Sequence, residues 1–429
     1  MISPDELLKD GLLEESDLDL MKDLPGSYVD FGLMIPKKLQ LLQQAFSRYQ
    51  SNPGHLQESF ERFCADNADW LDDFALFMAI KESHGGGSWA GWPEELRKRD
   101  KTALTSARAD LADSVSQYSF YQFLFFRQWN NLHSYTKEKD IQIIGDIPIF
   151  VAYDSADVWS HPELFFLDEG GNPTVVAGVP PDGFSATGQL WGNPLYDWNA
   201  HQKEKYAWWL SRIRASLNLM DIIRFDHFRG FAGYYEIKAG EPTAENGRWV
   251  TAPGKDFFHA VESYMKKDLG LAELPIIAED LGVITPDVVE LLEEFNFPGM
   301  KILQFGFSDP VNPFLPHNYL PRCVAYTGVH DNNTSMGWFQ ETSENEREFA
   351  KLYLGVDGHD IAWDLIRAIW KSVALFSITP MQDVLSLGEE ARMNYPSRLG
   401  GNWFWRMNEN DMREDYAAGL RDLNWLTNR

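Results

Sequence analysis

The first third of the chain carries apolar residues at helical spacing. In residues 68–82 (ADWLDDFALFMAIKE) this pattern is continuous, and it stops at Gly85-Gly86-Gly87. The spacing predicts an amphipathic helix that ends at the glycines. The glycine triplet lacks the Lys-Ser/Thr pair of a phosphate-binding loop, so we interpret it as a helix stop. Residues 104–138 carry an aromatic stripe, which is typical of buried helix packing, although a sugar-binding platform has the same pattern.

From residue 141 onward the pattern changes to short apolar runs separated by helix-like stretches. The runs that predict strands are 141–150, 221–226, 275–280, 300–305, 323–327 and 374–383. Helical spacing returns between them, for example at 203–216 and 284–295. Strands that alternate with helices predict parallel βαβ units, and nearly continuous apolar runs indicate strands that are covered on both faces.

Polar and charged residues stand at or just after the end of each predicted strand. They are Asp146, Arg224, Asp226, Glu279, Asp280, Gln304, His330, Asp331, Gln382 and Asp383. A doubly wound sheet would instead concentrate such groups at one switch point and carry a G-x-G-x-x-G turn, which this sequence lacks. Functional groups at the carboxyl end of every strand are typical of a (β/α)8 TIM barrel, so we predict an α/β fold of this type.

Residues 152–200 form a stretch that is too long for a plain connection between a strand and a helix. Aromatic side chains alternate there with hydrogen-bonding ones: Asp182, Phe184, Gln189, Trp191, Asn193 and Tyr196. Long irregular segments within compact domains are usually functional, so we interpret it as a substrate-cleft wall rather than a structural excursion. We therefore expect one catalytic domain over 1–429, with a mainly helical subdomain at 30–135 and a cleft-loop insertion at 152–200.

Composition narrows the class of ligand. The formal net charge is −26, and such a field repels nucleic acid and anionic membrane surfaces, whereas a neutral sugar is indifferent to it. The two cysteines, Cys64 and Cys323, show neither metal-site nor disulfide-framework spacing. The N-terminal residues lack the apolar core of a signal peptide, and no apolar run is long enough to span a bilayer. These features favour a cytoplasmic protein.

Three acids at strand ends form the candidate chemical centre: Asp226, Glu279 and Asp331. Cleavage of a glycosidic bond with retention needs one carboxylate that attacks the anomeric carbon and one carboxyl that protonates the leaving oxygen. Arg224 lies two residues before Asp226, on the same face of the strand, and its charge favours the ionised carboxylate. An apolar setting would give Glu279 the acid role.

Other interpretations of these residues exist. Any one of the acids alone is more often a helix cap or an ion-pair partner. Three carboxylates with two histidines also suit Mg²⁺, but Arg224 and Arg229 would repel a cation placed among them. For His330 we favour contacts with substrate hydroxyls, whereas for His227 a core position is an equal alternative.

The strongest indication comes from a set of motifs in order along the chain. They are DIPIFVAYDSADVW, GVPPDGFSATGQLWGNPLYDW, IIRFDHFRGF, IIAEDLGVITPDV, PGMKILQF, NPFLPHNY, YTGVHDNNTSMGW and QDVLSLGEEARMNYPSRLGGNWFWR. Together they resemble the 4-α-glucanotransferases (amylomaltases or disproportionating enzymes) of the α-amylase clan, over essentially the whole chain.

The resemblance implies transfer of α-1,4-glucan segments between malto-oligosaccharides, without a metal or cofactor. It implies the nucleophile at Asp226, the acid/base at Glu279 and a transition-state-stabilising acid at Asp331. The sugar contacts that it implies, together with the lid aromatic that the cleft-wall interpretation adds, are Arg224, His330, Asp182, Gln189, Trp191, Asn394 and Phe184.

The sequence departs from the family pattern at three places. The family begins with two further strand–helix units, so we count six barrel strands and expect an incomplete barrel that is poorly soluble and transfers slowly or not at all. Gly183 replaces a usual Tyr in the cleft loop, and Asn333 replaces a commoner Asp. The alternatives that stay open are an α-glucan hydrolase and a truncated, non-catalytic or glucan-binding remnant.

Overall fold

The computed structural model describes residues 2–181, 185–396 and 398–429. The chain divides into two compact units. The first unit runs to Lys22 and takes in Pro36–Ile276 and Pro286–Leu291. The second unit comprises Asp23–Ile35, Ile277–Thr285 and Leu292–Arg429. Asp226 therefore belongs to the first unit, whereas Glu279 and Asp331 belong to the second.

Helices dominate the chain before residue 140. They are α1 (Pro4–Lys9), α2 (Phe31–Ser51), α3 (Gln57–Asp66), α4 (Ala68–Ser83), α5 (Glu94–Arg97), α6 (Lys101–Asp110) and α7 (Ala112–Glu138). The predicted helix at 68–82 is confirmed as α4, which is followed by glycines in the left-handed region, with φ of +70° at Gly85. The predicted run 104–138 is two helices, because the chain breaks at Leu111.

The aromatic stripe of α7 packs inside the first unit. Phe120 is fully buried, and its ring stacks on that of Tyr49 from α2, with centroids 4.4 Å apart. Phe60 of α3 meets Phe120 edge-on at 5.4 Å. Each such aromatic pair adds about 0.5–1.5 kcal/mol beyond the burial of its area. This part of the stripe is therefore helix packing and not a sugar platform.

The strands lie after residue 140. They are β1 (Ile144–Pro148), β2 (Val175–Val179), β3 (Gln189–Pro194), β4 (Ile222–Asp226), β5 (Gly233–Lys238), β6 (Arg248–Thr251), β7 (Ile276–Ala278), β8 (Gly299–Ile302), β9 (Cys323–Tyr326) and β10 (Phe376–Ile378). All six predicted strands are confirmed, as β1, β4 and β7 to β10, although each is shorter than its apolar run.

The pairing of these six strands is parallel wherever the structure gives a register. In the first unit β1 pairs with β4, which places Asp146 opposite Arg224. The backbone N–H of Ile223 in β4 donates to Pro275 O, just before β7. In the second unit β9 lies between β8 and β10, so that Val324 is opposite both Met300 and Phe376. This is the mixed α/β arrangement that the alternation of runs predicted.

Residues 152–200 contain two strands that the sequence pattern did not predict. Strands β2 and β3 in this segment pair with each other, and β2 also pairs with β5, which pairs with β6, all antiparallel. Gly178 allows this close approach, because a Cβ there would come 2.3 Å from Gln189 O. The apolar pattern did not predict this antiparallel sheet, because its strands are short and two of the four lie beyond residue 230.

Further helices connect and follow the strands. They are α8 (Ala156–Ser160), α9 (Trp198–Lys203), α10 (Ala207–Leu219), α11 (Gly254–Asp268), α12 (Pro286–Glu294), α13 (Ser335–Glu341), α14 (Glu344–Leu354), α15 (Ile361–Trp370), α16 (Met381–Val384) and α17 (Glu414–Thr427). The predicted helix at 203–216 begins later, as α10, because Lys205 and Tyr206 adopt positive φ. The helix predicted at 284–295 is confirmed as α12. Within the described ranges, no helix has the length and apolarity needed to cross a bilayer.

Candidate active site

Arg224 holds two carboxylates at the end of β4. Its side chain is buried, at 9% exposure, and Nη1 donates to Asp226 Oδ1 at 3.0 Å and to Asp146 Oδ2 at 2.6 Å. Asp226 is two residues along the same strand, and Asp146 is directly across the parallel ladder. The guanidinium therefore fixes the position of the Asp226 carboxylate and favours its ionised form. Asp226 itself is about half exposed, at 46% of its side chain, so a ligand can reach it.

Two predicted sugar-contact residues lie beside the residue that follows Asp226. Trp191 is 37% exposed, and its ring meets His227 edge-on, with centroids 4.8 Å apart. The indole Nε1 donates to Gln189 Oε1 at 3.1 Å, which orients both side chains on β3. The structure therefore places Trp191 against His227, the residue after Asp226, and Gln189 against Trp191.

His227 is neutral at physiological pH. Burial, and secondarily the charge of Arg229, lower the pKa of its imidazole to about 3. A neutral imidazole can donate from one nitrogen and accept at the other, which suits a hydroxyl group. Its backbone takes a positive φ of +54°, which turns the chain sharply after Asp226. Arg229 is buried and lies 3.8 Å above the ring of Trp249, so burial lowers the pKa of its guanidinium.

In the second unit, Glu279 follows β7 directly. The backbone N–H of Leu281 donates to Glu279 Oε1 at 2.7 Å and so limits the orientations of the carboxyl. The next residue, Asp280, accepts a hydrogen bond of 2.6 Å from the N–H of Met300. Burial raises the pKa of Asp280. Its carboxylate lies against Gly299, where an added Cβ would be 2.3 Å from Oδ2. This glycine therefore leaves the space that the Glu279–Asp280 turn occupies.

Asp331 lies in the loop that follows β9, and a second loop holds it. Asn394 Nδ2 donates to Asp331 Oδ1 at 2.5 Å, and Arg392 Nη2 donates to Asp331 O at 3.0 Å. The N–H of Asn394 also donates to His330 O at 3.1 Å. Both His330 and Asp331 keep part of their side chains exposed, at 33% and 46%. The structure therefore brings His330, Asp331 and Asn394 together.

A buried carboxylate fixes both ends of the loop that carries His330 and Asp331. Asp383 is fully buried, and its Oδ2 accepts from Thr327 Oγ1 at 2.6 Å and from Ser335 Oγ at 2.7 Å. Its Oδ1 accepts from the N–H of Ser335 at 2.7 Å. Thr327 stands where the loop leaves β9, and Ser335 begins α13. Asp383 thus joins the two ends of the loop from inside the unit.

Asp182 and Phe184 lie outside the described residues. The sequence did not predict that Asp146 pairs with Arg224, that Arg392 binds the backbone of Asp331, or that Asp383 holds the ends of the loop, because these contacts depend on strand register and join distant segments. Within 2–181, 185–396 and 398–429, no group of three His, Cys, Asp or Glu side chains has an arrangement that could hold a metal ion.

The chemistry that these groups offer is that of carboxylates and neutral hydrogen-bonding side chains. The first unit supplies a carboxylate that a buried cation keeps ionised, which suits nucleophilic attack. The second unit supplies two further acids, Glu279 and the partly exposed Asp331, the latter held by an amide and a guanidinium. Half-exposed Trp191 and neutral His227 suit the apolar faces and hydroxyls of sugars.

Comparisons with known proteins point to the same chemistry. The family model described as 4-alpha-glucanotransferase, glycoside hydrolase family 77, matches residues 1–412. A 4-alpha-glucanotransferase from Synechocystis sp. is 49% identical over 424 residues, which cover 98% of this chain and 83% of that protein. One from Thermus thermophilus is 48% identical over 415 residues, which cover 94% of this chain and 82% of that protein.

A solved structure is similar over the full length of the chain. The amylomaltase from Streptococcus agalactiae, in complex with acarbose, matches with a TM-score of 0.94 and 36% sequence identity. The match covers 100% of this chain and 86% of that chain.

Proposed function

This chain belongs to glycoside hydrolase family 77, the 4-alpha-glucanotransferases, and we propose that it transfers α-1,4-glucan segments through a glycosyl intermediate on Asp226. The observation that carries the choice of nucleophile is the double hydrogen bond of Arg224. It keeps a half-exposed carboxylate ionised at a strand end, beside Trp191 and Gln189. An oligosaccharide donor fits this setting because the partly exposed Trp191 and the Gln189 amide offer it contacts that need no charge on the ligand.

The reaction proceeds in two displacements. The Asp226 carboxylate attacks the anomeric carbon, the bond to the leaving oxygen breaks, and the carboxylic acid of Glu279 gives that oxygen its proton. The released glucan departs, and a β-glycosyl ester of Asp226 stays behind. Ionised Glu279 then takes the proton from the 4-OH of an acceptor, whose oxygen attacks the same carbon and frees Asp226. Two inversions give an α-1,4 bond again.

Asp331 and His330 have supporting roles in this proposal. They hold hydroxyls of the sugar ring that reacts, and such contacts strengthen as the ring flattens toward the oxocarbenium-like transition state. Asn394 orients Asp331 through its short hydrogen bond, and Arg224 orients Asp226, in addition to any contact with the sugar.

The remaining sugar contacts come from the cleft segment. We assign Trp191 and Gln189 to substrate binding, because the indole is partly exposed and the amide fixes its orientation. Asp182 and Phe184 have the same role by their position in the motif GVPPDGFSATGQLWGNP. Acarbose in the complex of the Streptococcus agalactiae amylomaltase supports α-glucans and malto-oligosaccharides as substrates.

Two broader features are part of the proposal. The parallel pairing of β1 with β4 and of β8 with β9 and β10 supports membership of these strands in a (β/α)8-type barrel. The small number of cysteines, two in 429 residues, supports a cytoplasmic location.

The test is the product pattern from maltotriose. A glucanotransferase yields glucose together with a ladder of longer oligosaccharides, whereas a hydrolase yields only glucose and maltose. Asp226→Asn removes the nucleophile and keeps its shape, so we expect loss of transfer with an unchanged unfolding temperature. Asp422→Asn, an exposed position on α17, is the matched control. Products limited to glucose and maltose, or full transfer by Asp226→Asn, would contradict the proposal.

A further inference from the structure

Trp403 presents a half-exposed indole beside His330. The two rings lie 5.2 Å apart between centroids, with 36° between their planes, and 47% of Trp403 is exposed. Because nearly half of Trp403 is exposed beside His330, part of its ring is open to a ligand. None of the sequence motifs assigns a role to this residue. A ligand bound at His330 and Asp331 would therefore lie near Trp403.

The backbone at Trp403 is strained. Its φ is +63°, in the left-handed region that bulky residues rarely adopt. Such conformations cost on the order of 1–3 kcal/mol and cluster at ligand clamps and active sites, where the surrounding structure enforces them. Here the N–H of Trp403 donates to Met393 O at 2.6 Å, which fixes the residue to the loop that binds Asp331.

The same loop links Trp403 to Asp331 through hydrogen bonds. Asn394, the neighbour of Met393, donates from its backbone to His330 O and from its amide to Asp331 Oδ1. On the other side, Asn402 Oδ1 accepts from the N–H of Tyr395 at 3.0 Å. Trp403 is therefore placed relative to His330 and Asp331 by a chain of hydrogen bonds, and not only by packing.

We propose that Trp403 is a sugar-stacking residue, whose exposed face binds the apolar C–H face of a glucose unit of the glucan held at His330 and Asp331. The proposal rests on the proposed function, since it takes the glucan as ligand. The negative face of an aromatic ring attracts the positively polarised C–H groups of a pyranose, and the ring needs no charge to do so. This arrangement suits a substrate without charge, and His330 and Asp331 supply the hydroxyl contacts at the edge of the same sugar.

The test compares three variants for transfer from maltotriose and for binding of maltoheptaose by calorimetry. Trp403→Gly removes the ring and suits the left-handed backbone, so it relieves strain and keeps the loop folded. Trp403→Phe keeps an aromatic face. Trp425→Ala is the control, because Trp425 of the same unit is 81% exposed on α17 and has no part in the site.

We expect Trp403→Gly to raise KM for maltotriose roughly five- to tenfold and to weaken maltoheptaose binding by a similar factor. The kcat should stay within about twofold, and Trp403→Phe should restore most of the KM. A ring that only positions His330 would instead lower kcat with KM unchanged, and that result would overturn the proposal. Unchanged KM and binding in Trp403→Gly would do the same.

The outcomes separate this proposal from the proposed function. If the wild-type chain does not transfer, but Trp403→Gly still weakens maltoheptaose binding, the transferase assignment fails and the stacking role stands. If the wild-type chain transfers and Trp403→Gly behaves like Trp425→Ala, the stacking role fails alone.

Discussion

Substitutions of Asp383 should show how much of the stability depends on its hydrogen bonds and how much on the volume of its side chain. In Asp383→Ala, the hydroxyls of Thr327 and Ser335 and the N–H of Ser335 lose their acceptor in a fully buried site. Each buried unsatisfied group costs about 1–3 kcal/mol, and the hydroxyls recover part of this by rotating. We therefore expect the free energy of unfolding to fall by about 3–5 kcal/mol, which for a chain of this length corresponds to a loss of about 3–6 °C in unfolding temperature.

Asp383→Asn should cost much less. The amide oxygen still accepts from the N–H of Ser335, and the amide nitrogen donates to the two hydroxyls, which then act as acceptors. Thr327 can turn its hydroxyl hydrogen to Thr379 Oγ1, 3.2 Å away. We expect a loss of about 1–2 kcal/mol, because the shape of the side chain and most contacts are kept.

Thermal unfolding by calorimetry, with transfer from maltotriose at 25 °C, measures both effects. The control is Asp422→Ala, the same substitution at an exposed position of the same unit. Such surface changes usually stay within about 0.5 kcal/mol. An unfolding temperature of Asp383→Ala within about 2 °C of the control would refute the reasoning. So would an Asn variant as unstable as the Ala variant.

Other variants test the electrostatics and packing of the two units. Burial of His201 lowers the pKa of its imidazole to about 4. As the pH falls, this imidazole is therefore protonated in the unfolded chain before it is protonated in the folded one. The free energy of unfolding should be independent of this histidine above pH 6.5 and fall by up to about 3 kcal/mol as the pH drops to 4. In His201→Phe this decrease should be smaller. Gly299→Ala should displace the Asp280 carboxylate, cost about 1–3 kcal/mol in unfolding experiments and lower kcat. Arg224→Gln should lower kcat/KM by about tenfold or more, because Asp226 loses the hydrogen bond that fixes its carboxylate.

Each of these variants has a matched control. His359→Gln changes an exposed histidine and should leave the acid dependence of the unfolding temperature as in wild type. Gly91→Ala adds a Cβ where nothing lies within 4 Å, and it should be neutral. Arg413→Gln breaks a surface ion pair with Asp415 and should leave kcat/KM unchanged. If a target variant gave the same measured values as its control, the physical reason given for that variant would be wrong.

The sequence predicted those parts of the site that depend on local pattern. The spacing of Arg224 and Asp226 predicted that the two share a strand face, since alternate residues do so, and the structure shows a hydrogen bond between them. The apolar runs located the strands, because burial on both faces leaves a strong signal. The aromatic stripe of α7 likewise predicted buried helix packing, which Phe120 shows.

The parts that escaped prediction depend on non-local pairing. Asp146 reaches Arg224 only through the register of two strands, 78 positions apart in sequence. The antiparallel sheet of β2, β3, β5 and β6 joins short segments from either side of β4, so no continuous alternation marked it. The positive φ of Trp403 is likewise imposed by contacts of its loop and has no signature in the sequence.

The most direct test of the account is to trap the glycosyl enzyme. Fluoride leaves without protonation, so α-maltosyl fluoride should glycosylate the Glu279→Gln variant and release fluoride, while the missing base slows the second step. Mass spectrometry should then find one maltosyl group, bound as an ester to Asp226 after digestion. An ester on another residue, or no adduct although the wild-type chain transfers from maltotriose, would contradict the assignment of Asp226 as the nucleophile.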